Sequence, residues 1–161
     1  MSPHRHNRKD LSSNMEDYLE TIYLKDLEGN TAKVKNIADA MGVSKPSVTE
    51  ALTVLQNRGL ISHQKYGDIE LTDRGRETAS EIYFKHTLFF DFIRDVLAVP
   101  DDIAEDDACK VEHLVSDTTV NHMLEFMRFI EHQSKSNGKY SDFVSSFHNH
   151  LRKDGGEKSS S

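Results

Sequence analysis

Apolar residues recur every three or four positions along most of this chain, which predicts a mostly helical protein. Met15, Leu19, Ile22 and Tyr23 form a first stripe. Ser12 or Ser13 can cap it, Glu16 stands where a capping box needs it, and Gly29-Asn30 ends it after about Glu28. Val34, Ile37, Ala38 and Met41 mark a short second helix. Gly42-Val43-Ser44 then makes a turn, and Ser44 caps a third helix with Lys45-Pro46 in its first turn. That helix carries Val48, Leu52 and Leu55 inward and closes at Arg58-Gly59. The period next switches to two: residues 60–63 and 68–71 alternate like strands joined by Gln64-Lys65-Tyr66-Gly67.

A long helix follows, from Thr72 or Asp73 to about Val99, dense with Ile82, Tyr83, Leu88, Phe89, Phe90, Phe92, Ile93 and Leu97. Pro100 interrupts it. Asp101 or Asp102 is expected to cap a helix reaching about Val115, and Asp117 the next, through Met123, Phe126, Met127 and Ile130. Residues 134–139 read as a loop and 140–152 as a last amphipathic helix. The order helix, Gly-containing turn, helix, two-stranded wing is that of a winged helix-turn-helix, whose second helix enters the DNA major groove. The expected fold is therefore mostly α with a small β wing: a winged helix-turn-helix at 12–74 and a helical domain at 75–152, flanked by disordered ends at 1–11 and 153–161.

Composition narrows the class. No stretch approaches eighteen apolar residues, so no membrane span is expected. A single cysteine excludes an internal disulfide and fits a reducing cytoplasm. The net charge of −7 argues weakly against a wholly basic nucleic-acid binder, but phosphate contacts need only a local basic surface. Lys45, Ser47, Thr49 and Glu50 at the front of the third helix, with Lys65 and Tyr66 at the wing tip, are the candidate DNA contacts.

Candidate metal chemistry lies elsewhere. Cys109, Glu112 and His113 stand at i, i+3 and i+4, so on a helix their donors fall within an arc of roughly 100°. Asp17 and Glu20 form an i, i+3 acidic pair opposite the first apolar stripe, where a solvated face is the ordinary reading. His86 sits among Phe89, Phe90 and Ile93, where a packed histidine is as natural as a ligand.

The phrases MEDYLETIY, VKNIADAMGVSKPSVTEALTVLQNRGLI, YFKH and DDACKVEHLVSD, in this order, resemble the iron- and manganese-dependent repressor family over roughly residues 13–133. The resemblance implies a winged helix joined to a helical dimerisation domain, in the short branch without an SH3-like domain. It also implies metal ligands at Asp17, Glu20, His86, Cys109, Glu112 and His113. Aspartate at 17 follows the manganese-type members, whereas cysteine at 109 follows the iron type. Phe90 stands where the ancillary site of the iron type has a carboxylate, and Glu105 remains near another of its ligands.

The expected protein is a cytoplasmic, homodimeric, metal-activated repressor of metal-uptake genes that binds a palindromic operator. A thiolate favours softer ions than oxygen donors do, which slightly favours Fe²⁺ over Mn²⁺, with Co²⁺, Ni²⁺ or Zn²⁺ able to bind in vitro. Neither a membrane nor a small organic ligand is expected. Two alternatives remain open from the residues alone: a winged-helix regulator gated by oxidation of Cys109, and a metalloenzyme, for which no general base or oxyanion donor accompanies the triplet.

Overall fold

The structure, a computed structural model, describes residues 11–30, 32–63, 67–137 and 139–157. Its contacts divide the chain into two compact units, Met1–Phe84 and Lys85–Ser161.

In the first unit, α1 (Ser13–Leu27) is capped by Ser12, whose hydroxyl accepts from the Met15 amide at 3.4 Å. The expected capping box at Ser13 and Glu16 does not form, because a cap at Ser12 makes Met15 the third helical residue. α2 (Val34–Met41) ends on Gly42 in the left-handed region, and α3 (Lys45–Asn57) starts at Ser44, which accepts from the Ser47 amide at 3.3 Å. β1 (Ile61–His63) and β2 (Ile69–Leu71) pair antiparallel, with Ile61 opposite Leu71 and His63 opposite Ile69. Ala32, between α1 and α2, adds one bridge to Ile69, which the alternation of the two strands does not disclose. Leu19, Ile22, Ile37, Val48, Leu52 and Leu55 are fully buried in one core together with Ile61 and Ile69. The helix-turn-helix is thus held by the residues whose period predicted it.

A dense joint ties the end of α3 to the start of α4 (Asp73–Asp91). Thr72 donates its hydroxyl to the Gly59 carbonyl at 2.7 Å and accepts from the Gly75 amide at 3.0 Å, so it caps α4 while gripping the turn after α3. The Thr72 amide donates to the Leu60 carbonyl at 3.1 Å, and Arg74 reaches the Arg58 carbonyl at 3.3 Å. A Cβ on Gly75 would stand 1.7 Å from the Leu60 carbonyl oxygen. Only glycine permits that approach.

Arg76 on α4 pairs with Asp26 on α1 through two contacts, the second at 3.2 Å. The hydrogen bond from Arg76 holds the Asp26 carboxyl below its ordinary pKa of 3.8. A depressed carboxylate stabilises the fold above its ordinary pKa, and that contribution is lost as pH falls through the folded-state value. Asp26→Asn should therefore melt slightly below wild type at neutral pH, with the gap closing in melts taken below about pH 4. The pair is exposed, so a small gap is expected.

In the second unit, the long helix stops being α-helical at Asp91. Phe92–Val96 forms a π-helical turn, and Ala98 takes a positive φ of 57° before Pro100. Apolar spacing does not distinguish α from π over so few residues, hence the expected single helix to Val99. α5 (Asp101–Glu112) has Pro100 at its cap position without a side-chain cap. Asp101 and Asp102 lie inside its first turn, favourably placed against the helix dipole rather than as caps. Ser116, not Asp117, caps α6 (Asp117–Asn137): its hydroxyl accepts from the Thr119 amide at 3.3 Å.

α6 runs past the expected loop start at 134, and α7 (Lys139–Glu157) past the expected end at 152. Apolar periodicity marks only the packed part of a helix, while backbone hydrogen bonding can continue beyond it. Leu88, Phe89, Ile93, Ala104, Ala108 and Val120 form the core of this unit. No helix among the described residues is long and apolar enough to cross a membrane.

Candidate metal centre and nucleic-acid interface

Glu112 is the focus of the second unit. It is 3% exposed, the most buried charged residue among those described. Its Oε2 lies 2.9 Å from His86 Nδ1, while Oε1 has no hydrogen-bond partner among the described residues and lies 3.4 Å from His113 Nε2. Ionised carboxylate oxygens without a donor are costly in a low-dielectric interior, by about 1–3 kcal/mol or more for a charged group. A cation would remove that cost.

Local folding explains how the other donors gather. His113 follows α5 as its terminal residue but keeps helical torsions of φ −79° and ψ −19°, so the arc expected for Cys109, Glu112 and His113 survives. Cys109 Sγ and a ring nitrogen of His113 lie within 4.8 Å of each other. His86, from α4, is mostly buried; its ring stacks on Phe90 with centroids 6.4 Å apart and planes 10° off parallel. It is both packed and engaged with a carboxylate. The His86 Nε2 lies 3.2 Å from Glu105 Oε1, a partner that residue spacing did not reveal. The Arg94 guanidinium lies over the Phe90 ring, 4.6 Å from its centroid, and bonds Asp91 and Asp95.

In the first unit, Asp17 is half-buried and Glu20 only 9% exposed. The solvated-face reading fails for Glu20. Tyr18, Leu19, Glu20 and Ile22 are all buried, so α1 is covered around most of its circumference and not only along its apolar stripe. Thiolate, carboxylate and imidazole are together a donor set for a divalent transition ion, and the orphaned oxygen of Glu112 fits one.

On α3, Lys45, Ser47, Thr49 and Glu50 are all exposed, while Val48 between them is buried. The Ser47 hydroxyl shares a 2.8 Å hydrogen bond with Ser44, and Thr49 donates to the Lys45 carbonyl at 3.0 Å. With its proton committed to that carbonyl, the exposed Thr49 hydroxyl can act as an acceptor. Lys65 and Tyr66 lie outside the described residues. Gln56, on the last turn of α3, donates to the His63 carbonyl at 3.2 Å and ties the wing to that helix.

These features define a winged-helix protein joined to a helical unit rich in metal donors. The chain belongs to the iron-dependent repressor family. Residues 10–69 match its N-terminal DNA-binding domain, and residues 72–139 its metal-binding and dimerisation domain. An uncharacterized HTH-type transcriptional regulator of Methanocaldococcus jannaschii is 33% identical over 118 residues, covering 73% of this chain and 94% of that protein. The HTH-type transcriptional regulator MntR of Bacillus pumilus is 30% identical over 117 residues, covering 73% and 81%. Among solved structures, the manganese regulator SloR superposes with a TM-score of 0.66 at 33% identity, covering 74% of this chain and 55% of that one. The chain thus matches most of the length of the two curated relatives but about half of SloR. All three are named as regulators, none as an enzyme.

Proposed function

We propose that this protein is a cytoplasmic, metal-activated transcriptional repressor that binds a palindromic operator as a homodimer and turns down metal-uptake genes. The observation that carries the reading is the buried Glu112, one oxygen against His86 and the other without a donor. His86, Cys109, Glu112 and His113, with Asp17 and Glu20 from α1, are the proposed ligands. A divalent ion held by these residues would supply the positive charge that offsets their carboxylates.

Because α1 belongs to the same unit as the recognition helix, ion binding and operator binding are linked, and each raises the affinity for the other by the same factor. A switch from 1:99 to 99:1 requires roughly 5.5 kcal/mol of such preference. Lys45, Ser47, Thr49 and Glu50 meet the DNA at the front of α3, with Lys65 and Tyr66 as wing contacts. Fe²⁺ is slightly favoured over Mn²⁺ because Cys109 supplies sulfur where the other donors are oxygen and nitrogen. The relatives support the metal-responsive class, SloR being named for manganese.

The test is anaerobic selection of duplexes from a random library, followed by titration of the selected site with Fe²⁺, Mn²⁺, Co²⁺ and Zn²⁺. Binding should appear with metal and disappear with chelator, with Fe²⁺ the most potent. DNA affinity indifferent to chelator would overturn the reading. Affinity that instead follows alkylation of Cys109 at fixed metal would make the protein a thiol-gated regulator.

A further inference from the structure

Resting on that metal reading, we infer that Glu105 is a positioning residue that holds the His86 imidazole in the tautomer able to bind metal. A neutral imidazole carries one N–H and one lone pair, and only the lone pair can ligate. His86 has a different carboxylate on each side of its ring. Nδ1 lies 2.9 Å from the buried Glu112 Oε2, and Nε2 lies 3.2 Å from Glu105 Oε1. The nitrogen that shares an ion with Glu112 is therefore Nδ1, and the ring proton must reside on Nε2, where Glu105 accepts it.

Two neighbours divide the work of orienting the ring. Phe90, stacked nearly parallel, holds its plane. Glu105 sets its rotation within that plane and the position of its proton. The two carboxylates differ in burial in the sense this requires. Glu112, with a side chain 1% exposed, sits where an ion would be kept dry, whereas the Glu105 side chain is 60% exposed and retains water on its outer face. A carboxylate behind a ligating histidine fixes the ring and makes it a better donor, and its removal typically weakens metal binding by roughly 10–100-fold. Exposure places Glu105 at the lower end of that range.

The test uses the full chain and Zn²⁺, titrated against a competing chelator, with ¹⁵N NMR of the histidine rings in the loaded protein. Wild type should show His86 metallated at Nδ1 and protonated at Nε2. Glu105→Ala should bind Zn²⁺ about tenfold more weakly, with an unchanged apo melting curve and a His86 Nε2 proton that exchanges faster. Glu105→Gln should lie closer to wild type, because its amide oxygen still accepts. Equal affinity in Glu105→Ala, or metal on Nε2, would overturn the assignment. A drop in the number of ions bound would do so too, by making Glu105 a ligand. If wild type takes up no Zn²⁺, the metal reading itself falls, which the wild-type titration alone reveals.

Discussion

Glu112→Gln is expected to move stability and metal response in opposite directions. Without metal, the wild-type carboxylate carries a buried oxygen with no donor, and His113 Nε2 is 3.4 Å away. Glutamine keeps the shape, can donate an amide N–H to His86 Nδ1 and removes the charge, so part of the cost of burying that oxygen is recovered. A gain of about 1 kcal/mol raises the melting midpoint by roughly 2–4 °C for a chain of this size. With metal the order reverses. Saturation to about a thousand times Kd stabilises wild type by roughly 4 kcal/mol, and a neutral amide at the central ligand position should weaken binding by about 100-fold or more. Paired thermal melts of wild type and variant, with chelator and then with Mn²⁺ or Zn²⁺, read both effects. If the variant melts below wild type in chelator, the pairing of Glu112 with His86 outweighs the orphaned oxygen, and the structural case for a cation there collapses.

Gly75→Ala should be the most damaging single methyl in the first unit. The added carbon would overlap the Leu60 carbonyl oxygen, a backbone atom already engaged by the Thr72 amide. Neither α4 nor the start of the wing can yield without breaking the Thr72 bonds to Gly59 and Leu60. The penalty should reach about 3 kcal/mol, the upper end for overpacking, which lowers the melting midpoint by roughly 6–12 °C. Amide exchange should localise the loss to residues 58–75. A variant that melts like wild type would mean that the two segments part easily.

Local and tertiary features of this fold differ in how far the residues disclose them. Gly42 and the run Ser44-Lys45-Pro46 are local signals, each sufficient to place a turn or a helix start, and the helix-turn-helix was legible from them. The arc of Cys109, Glu112 and His113 was equally legible, because it follows from helical periodicity alone. The full set of candidate ligands came from family resemblance and not from spacing, whereas the candidate DNA contacts were read from the front of the third helix and the wing tip. What stayed hidden is tertiary. The bridge at Ala32, the pairing of Glu105 with His86 and the tight seat of Gly75 each depend on an element distant in sequence. A glycine in a helical pattern reads as a weak position until the carbonyl pressed against it is seen. Capping choices such as Ser116 over Asp117 were ambiguous because both residue types satisfy the same orphan amides.

Thr72 has one more consequence, for how such a protein can change over evolutionary time. Its bonds to Gly59 and Leu60 bring together residues twelve and thirteen positions apart, closing the wing at its stem as a ring. Once the stem is fixed, lengthening the ring is inexpensive: each doubling of a flexible loop adds only about 0.6 kcal/mol of closure entropy. Insertions between His63 and Gly67 can therefore be sampled without disturbing the seat of α3. The reach of the wing along a duplex can drift independently of the helix beside it.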